Sequence, residues 1–153
     1  MESYMNTIYG KDKVLDTFFE MIRSCKNEVR FTMLYMGSKW GTDPSSEQQY
    51  LKSFESSILE AKNKGATIKI IGPNDLRLSK EIKRLESWGA SIALMEHGDL
   101  RFLVTDHTEC LIVYSEQFTE SMMFYTAVKS DSKGLVALFD RYFEHIWAKG
   151  TKP

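Results

Sequence analysis

Lys64-Gly65-Ala66-Thr67-Ile68 and Trp88-Gly89-Ala90-Ser91-Ile92 spell one pattern twice: a helix-ending residue, Gly, Ala, a hydroxyl residue and Ile. Glycine closes a helix in the left-handed region without the steric cost any other residue meets. The hydroxyl–Ile pair then opens a strand. Two successive helix-to-strand units of this kind predict neighbouring parallel strands and an α/β fold. Two copies are too few for a repeat protein.

Outward from these phrases, helix and strand patterns keep alternating. Upstream of the first, Asp43-Pro44 and Ser46-Glu47-Gln48-Gln49 form a helix-opening signal, and Leu51, Phe54, Ile58 and Ala61 supply a buried stripe. Residues 12–26 predict an earlier helix, with Leu15, Phe18, Phe19 and Ile22 on one face. Residues 28–36 alternate as a strand, with Val29, Phe31, Met33 and Tyr35 on one side, before a polar loop at 37–43. Strands are predicted at 67–71 and 91–95, with a helix at 76–88 between them. Beyond Gly98, runs at 101–105 and 110–114 flank Asp106-His107-Thr108-Glu109 and read as a hairpin. Another strand follows at 122–128, and Asp131 or Ser132 caps a last helix to Lys149, carried by Leu135, Leu138, Phe139, Tyr142, Phe143 and Ile146. The expectation is a single α-β-α layered domain over residues 1–153, with a mixed sheet and a C-terminal helix.

Of 153 residues, 42% are apolar and 27% charged, a globular and not a disordered balance. Lys and Arg number 20 against 21 Asp and Glu, a net charge of -1, which argues against direct nucleic-acid binding by a basic coat. No run approaches the roughly 18 apolar residues of a membrane span. Met1-Glu2-Ser3-Tyr4 lacks the features of a secretion signal, so a cytoplasmic setting is expected. Cys25 and Cys110 are too few for a disulfide framework and read as packing residues.

The sequence carries no phosphate-cradling loop, nucleophile elbow or zinc-binding helix motif. His97 and His107 flank one short strand and His145 lies on the last helix, poor geometry for a shared metal. Neither a metal nor a cofactor is expected. The polar residues that gather near the hairpin are Asp99, Arg101 and Asp106, with Ser115 and Gln117 after the partner strand. Arg101 either serves a pocket or simply pairs with Asp99 or Asp106 to hold the hairpin. Two basic groups, Lys62, Lys64 and Lys69 or Lys80, Lys83 and Arg84, are candidates for a binding face, although Glu81 and Glu86 interleave the second as on a solvated helix.

The order of elements, with Trp147 late in the chain, resembles the phospholipase D-like fold. So does the segment Glu60-Ala61-Lys62-Asn63-Lys64-Gly65-Ala66-Thr67-Ile68-Lys69-Ile70-Ile71. In the active branch a strand carries His-x-Lys-x4-Asp, followed by Gly-Ser-x-Asn. The matching register here is Asp99-Leu100-Arg101-Phe102-Leu103-Val104-Thr105-Asp106, with Tyr114-Ser115-Glu116-Gln117-Phe118-Thr119 following. Asp99 thus stands where that family has its nucleophilic His, and Arg101 where it has its phosphate-binding Lys. A carboxylate repels a phosphodiester and lacks imidazole's proton-transfer range, so no phospholipase D-type activity is expected.

Catalytically silent domains of this type resemble the effector-binding domain of TrmB-like archaeal transcriptional regulators, as do Ile8-Tyr9-Gly10-Lys11-Asp12-Lys13-Val14 and the segment 139–147. The resemblance implies a regulatory, ligand-sensing homodimer. A small anionic or polar ligand would sit near Asp99, Arg101, Asp106, Ser115 and Gln117, with Tyr35 and Trp40 as its roof. Trp40 could equally be a loop anchor. The alternatives are a divergent phosphodiesterase or nuclease, and a protein- or lipid-binding module.

Overall fold

A computed structural model describes residues 3–32, 44–96, 101–119 and 122–153, with the side chains of 44–47, 77, 115–119 and 122–124 outside that description. The chain runs β1 (Met5–Tyr9), α1 (Lys11–Ser24), β2 (Glu28–Thr32), α2 (Pro44–Asn63), β3 (Thr67–Gly72), a 3-10 turn (Leu76–Leu78), α3 (Ser79–Ser87), β4 (Ser91–Leu94), β5 (Arg101–Thr105), β6 (Glu109–Thr119), β7 (Met122–Ser130) and α4 (Lys133–Lys149). One mixed sheet takes the order β1-β7-β6-β5-β2-β3-β4. β2, β3 and β4 are parallel, and the remaining neighbours pair antiparallel.

The repeated phrase acts as expected. Gly65 and Gly89 adopt φ of 90° and 100°. In each copy the Gly N–H donates to the carbonyl three residues back and the following Ala N–H to the carbonyl five back, at 2.9–3.2 Å. This is the Schellman helix ending, and it aims the chain straight into β3 and β4. Both crossovers step in the same direction across the sheet, so α2 and α3 fall on one face.

That face also takes α1. Val14, Phe18, Phe19 and Ile22 of α1 meet Phe54 and Ile58 of α2, Leu85 and Trp88, and the sheet residues Val29, Phe31, Ile68, Ile70, Leu103 and Leu111. Phe54 is the hub: its ring centroid lies within 6.0 Å of those of Phe18, Phe19, Phe31, Tyr50 and Trp88. Among the described residues the opposite face holds one helix, α4, whose Val136, Phe143 and Ile146 pack on Ile71, Phe102, Val104 and Cys110. The three layers are therefore α-β-α.

Two local expectations need correction. β1 has no counterpart in the sequence reading, because as an edge strand with exposed Met5, Asn6, Thr7 and Tyr9 it shows no burial alternation. Lys62, Lys64 and Lys69 do not form one basic face. Lys64 donates to the Arg23 carbonyl at 2.6 Å at the end of α2, whereas Lys69 lies on the α4 face of β3, 3.5 Å from Glu28 and over the Trp147 ring.

The β5–β6 turn is fastened from two sides. Asp106 and His107 both hold positive φ, 54° and 56°. The Asp106 carboxylate accepts the backbone N–H groups of Lys26, Asn27 and Glu28 at 2.7–2.9 Å and the Cys25 thiol at 3.1 Å. His107 places its two ring nitrogens against Asp140 of α4 at 2.8 Å and Glu28 at 3.1 Å. Buried Arg30 completes the cluster, bonded to Glu28 at 2.9 Å and to Glu144 at 3.2 Å, with its guanidinium over the Phe143 ring. Burial alone would raise the Asp106 carboxyl, but the three amides and the thiol outweigh it and hold the group below its usual range. Glu28 is likewise held low: burial opposes its charge, and Arg30, Lys69 and His107 override it.

Two predictions follow from this packing. Phe54→Ala should cost about 3–5 kcal/mol in urea unfolding, while truncation of exposed Leu76 should stay within about 0.5 kcal/mol. Asp106→Asn, which keeps a side chain tolerant of the left-handed turn, should cost about 1–2 kcal/mol at neutral pH. The folded carboxyl titrates below the unfolded one, so its contribution is complete above about pH 4 and fades as pH falls through the lower folded value. The gap between wild type and Asp106→Asn should therefore close on acidification, as read by unfolding midpoints at pH 7 and at decreasing acid pH.

Candidate functional site

The parallel strands β2, β3 and β4 all finish at the same end of the sheet, where open α/β sheets commonly bind ligands. β5 runs back against β2, with Leu103 opposite Phe31. Its first residue, Arg101, therefore lies at this carboxyl end, just past β2. The strand is held there by the Phe102 N–H, which donates to the buried Thr32 hydroxyl at 3.0 Å.

Arg101 pairs with Val113, which pairs in turn with Ala127. This row belongs to the face that carries α1 and α2, since Val113 and Ala127 lie in that core. Two positions further on, Tyr125 of β7 is 5% exposed and in register with Ser115. Burial pushes the Tyr125 hydroxyl up, and the Arg101 charge partly offsets that rise. Tyr50 of α2 stands against Phe19 and Phe54, and its hydroxyl is also pushed up, chiefly by burial and then by Tyr125. The result is a guanidinium at the margin of an aromatic core, electrostatically linked to the buried Tyr125. Such a group recognises carboxylate or phosphate by paired N–H donors.

The residues named from the sequence divide between the two ends of the sheet. Ser115 and Gln117, opposite Tyr125 and Met123, lie at register positions on the Arg101 side. Asp106 does not join them. It sits at the other end of β5, about 17 Å from Arg101 by strand rise, and its carboxylate is occupied by backbone amides. The suggested Arg101–Asp106 pair is excluded for the same reason. Asp99, Tyr35 and Trp40 lie outside the described residues. Tyr125 and Tyr50 escaped the sequence reading. Both look like ordinary core aromatics there, and only the β5–β6–β7 register brings Tyr125 towards Arg101.

Other chemistry is quiet. Cys25 and Cys110 are buried thiols. Burial, with the bond to Asp106, pushes Cys25 up to about 12, and burial pushes Cys110 up to about 11, which disfavours reactive thiolate in both. Among the described residues no group of three or more His, Cys, Asp or Glu side chains is arranged to hold a metal ion. No described helix is long and apolar enough to cross a membrane. A separate cleft of about 200 Å³ opens beside α3 and the end of β4, lined by residues that include Leu76, Ser79, Ile82, Lys83, Glu86 and Leu94.

No family model matches the sequence, and no curated protein does. Solved structures match closely in shape. TrmBL2, an archaeal chromatin protein with a novel mode of DNA binding, superposes with a TM-score of 0.68 at 21% identity, over 97% of this chain and 54% of that one. The chain thus spans about half the length of TrmBL2. Nuc, a phospholipase D family member from Salmonella typhimurium, gives a TM-score of 0.74 at 13% identity over 99% of both chains. NucT from Helicobacter pylori gives 0.76 at 10% identity, over 99% of this chain and 100% of that one. At these identities the likeness is one of architecture, and it extends along nearly the whole sequence: the chain has a phospholipase D-like fold, shared with TrmBL2, Nuc and NucT.

Proposed function

We propose that this chain is a non-catalytic ligand-sensing domain, regulatory in role and dimeric, that binds a small anionic or polar molecule at the carboxyl end of its parallel strands. The observation that carries this reading is Arg101 at that end, electrostatically linked to the buried, neutral Tyr125. Asp99, Ser115, Gln117, Tyr35 and Trp40 complete the proposed surroundings. Chemistry of the phospholipase D type needs an imidazole nucleophile beside the cation, and Asp99 stands at the corresponding sequence position. His107 is engaged with Glu28 and Asp140 at the far end of β5, and His145 is exposed on α4. The similarity to TrmBL2 supports a regulatory setting. The near-zero net charge favours a domain that senses and leaves DNA contact to a partner.

The test combines binding with turnover. Inorganic phosphate, nucleotides, sugar phosphates and neutral sugars are screened by thermal shift. A true ligand at 100 times its Kd adds about 2.7 kcal/mol of stability, which appears as a shift of several degrees. Arg101→Ala should abolish the shift for anions, measured against the variant's own unliganded melting temperature, and Arg101→Lys should keep part of it. Bis(4-nitrophenyl) phosphate should not be hydrolysed above background. Turnover that disappears in Arg101→Ala would replace the sensor reading with the phosphodiesterase one.

A further inference from the structure

The two edges of the sheet are treated differently. At the β4 edge, Leu94 and Thr151 exchange backbone hydrogen bonds of 2.7 and 3.0 Å, so a short segment after α4 closes the end of a four-residue strand. The β1 edge has no such cover among the described residues. Its sequence, Met5-Asn6-Thr7-Ile8-Tyr9, contains no charge and no proline, and its register against β7 runs from Met5–Ser130 to Tyr9–Thr126 without a bulge. Charges, prolines and bulges are the devices by which proteins ordinarily keep an open edge from pairing. β1 has none of them.

The phase of the ladder determines which groups face outward. Gly10 continues the β1–β7 register opposite Tyr125, and its N–H donates to the Tyr125 carbonyl at 2.9 Å. Bonding alternates along an antiparallel pair. Asn6 and Ile8 therefore bond inward to β7, while Met5, Thr7 and Tyr9 turn their N–H and C=O groups to the open side. The same three residues share the sheet face that carries α4. Across the strands, Tyr9 aligns with Thr126 and Tyr114, and Thr7 with Val128 and Ile112. Met5, Tyr9 and Tyr114 are 63%, 69% and 62% exposed, large apolar side chains gathered at one margin of that face.

We propose that β1 pairs antiparallel with β1 of a second copy of this chain, about a two-fold axis at Thr7, joining the two sheets into one. The strand is self-complementary in that register. Thr7 meets the partner's Thr7, and Met5 meets the partner's Tyr9 on the same face, a thioether–aromatic contact. Every outward N–H and C=O of Met5, Thr7 and Tyr9 finds its counterpart, and no like charges oppose. An axis perpendicular to the sheet also sets the two exposed apolar margins side by side. This interface deepens the dimeric part of the proposed function and is independent of its ligand, so the two fail separately: Arg101→Ala should leave the dimer intact.

Sedimentation velocity on the full chain without ligand should show a dimer that dissociates on dilution. Thr7→Lys, at an exposed position whose backbone does not bond to β7, should raise the dissociation constant at least tenfold. Mixing Thr7→Lys with Thr7→Glu should restore the dimer. Hydrogen exchange supplies a readout free of mutation: the Thr7 and Tyr9 amides should gain protection with rising protein concentration, and Asn6 and Ile8 should be protected throughout. A wild-type chain that remains monomeric at high micromolar concentration, or a dimer indifferent to Thr7→Lys with no concentration-dependent protection at Thr7, would overturn the proposal.

Discussion

Two consecutive residues other than glycine in left-handed conformation, Asp106 and His107, strain the backbone by roughly 1–2 kcal/mol each. They persist because each side chain reaches a different layer of the fold. The Asp106 carboxylate draws in the three amides that leave α1 and enter β2, and the Asp106 N–H returns a bond to the Glu28 carbonyl at 2.8 Å. His107 meets α4 through Asp140. One hairpin turn therefore fixes the relative positions of the helical layer on one face, the centre of the sheet, and the helix on the other. It adds to the ladders on either side of β5 and to the Phe102–Thr32 bond in setting the strand's register against β2.

Charge is distributed unevenly along the strands of the sheet. At the end where β2 begins, charges are plentiful and paired with one another: Glu28, Arg30, Lys69, His107, Asp140 and Glu144 form a continuous network of ion pairs around a buried guanidinium. A buried charge left without partners is costly, and breaking one member of such a set strands the others. That end is suited to rigidity. At the carboxyl end, Arg101 lies on the face of the α1–α2 core, where its charge reaches the buried Tyr125.

How much of this was legible in the sequence follows from the range of each signal. Gly65 and Gly89 announce their helix endings locally, since the hydrogen bonds they enable span only five residues, and with them came the parallel core of the sheet. Alternation in β2 correctly sorted Val29 and Phe31 from Arg30 and Thr32. It could not tell that Arg30 and Thr32 are buried as well, because the cover on that side is α4, more than a hundred residues later in the chain. β1 was invisible because burial contrast, the property that marks a strand in a sequence, is absent at an exposed edge. Arg101 was legible as a cation opening a strand. Tyr125 was not, because its relation to Arg101 depends on the register of three strands.

The motif comparison gains a physical meaning from the same geometry. Of the three residues in His-x-Lys-x4-Asp, the sequence matches only the last, Asp106, and changes the first two to Asp99 and Arg101. The matching residue is the one whose carboxylate holds backbone amides and so serves the scaffold whatever chemistry the sheet carries. Arg101 lies at the other end of β5, where a change of cation leaves the turn undisturbed. The one motif position kept in this sequence is thus the one that the turn itself depends on: Asp106 joins β5, the end of α1 and the start of β2 through its own carboxylate.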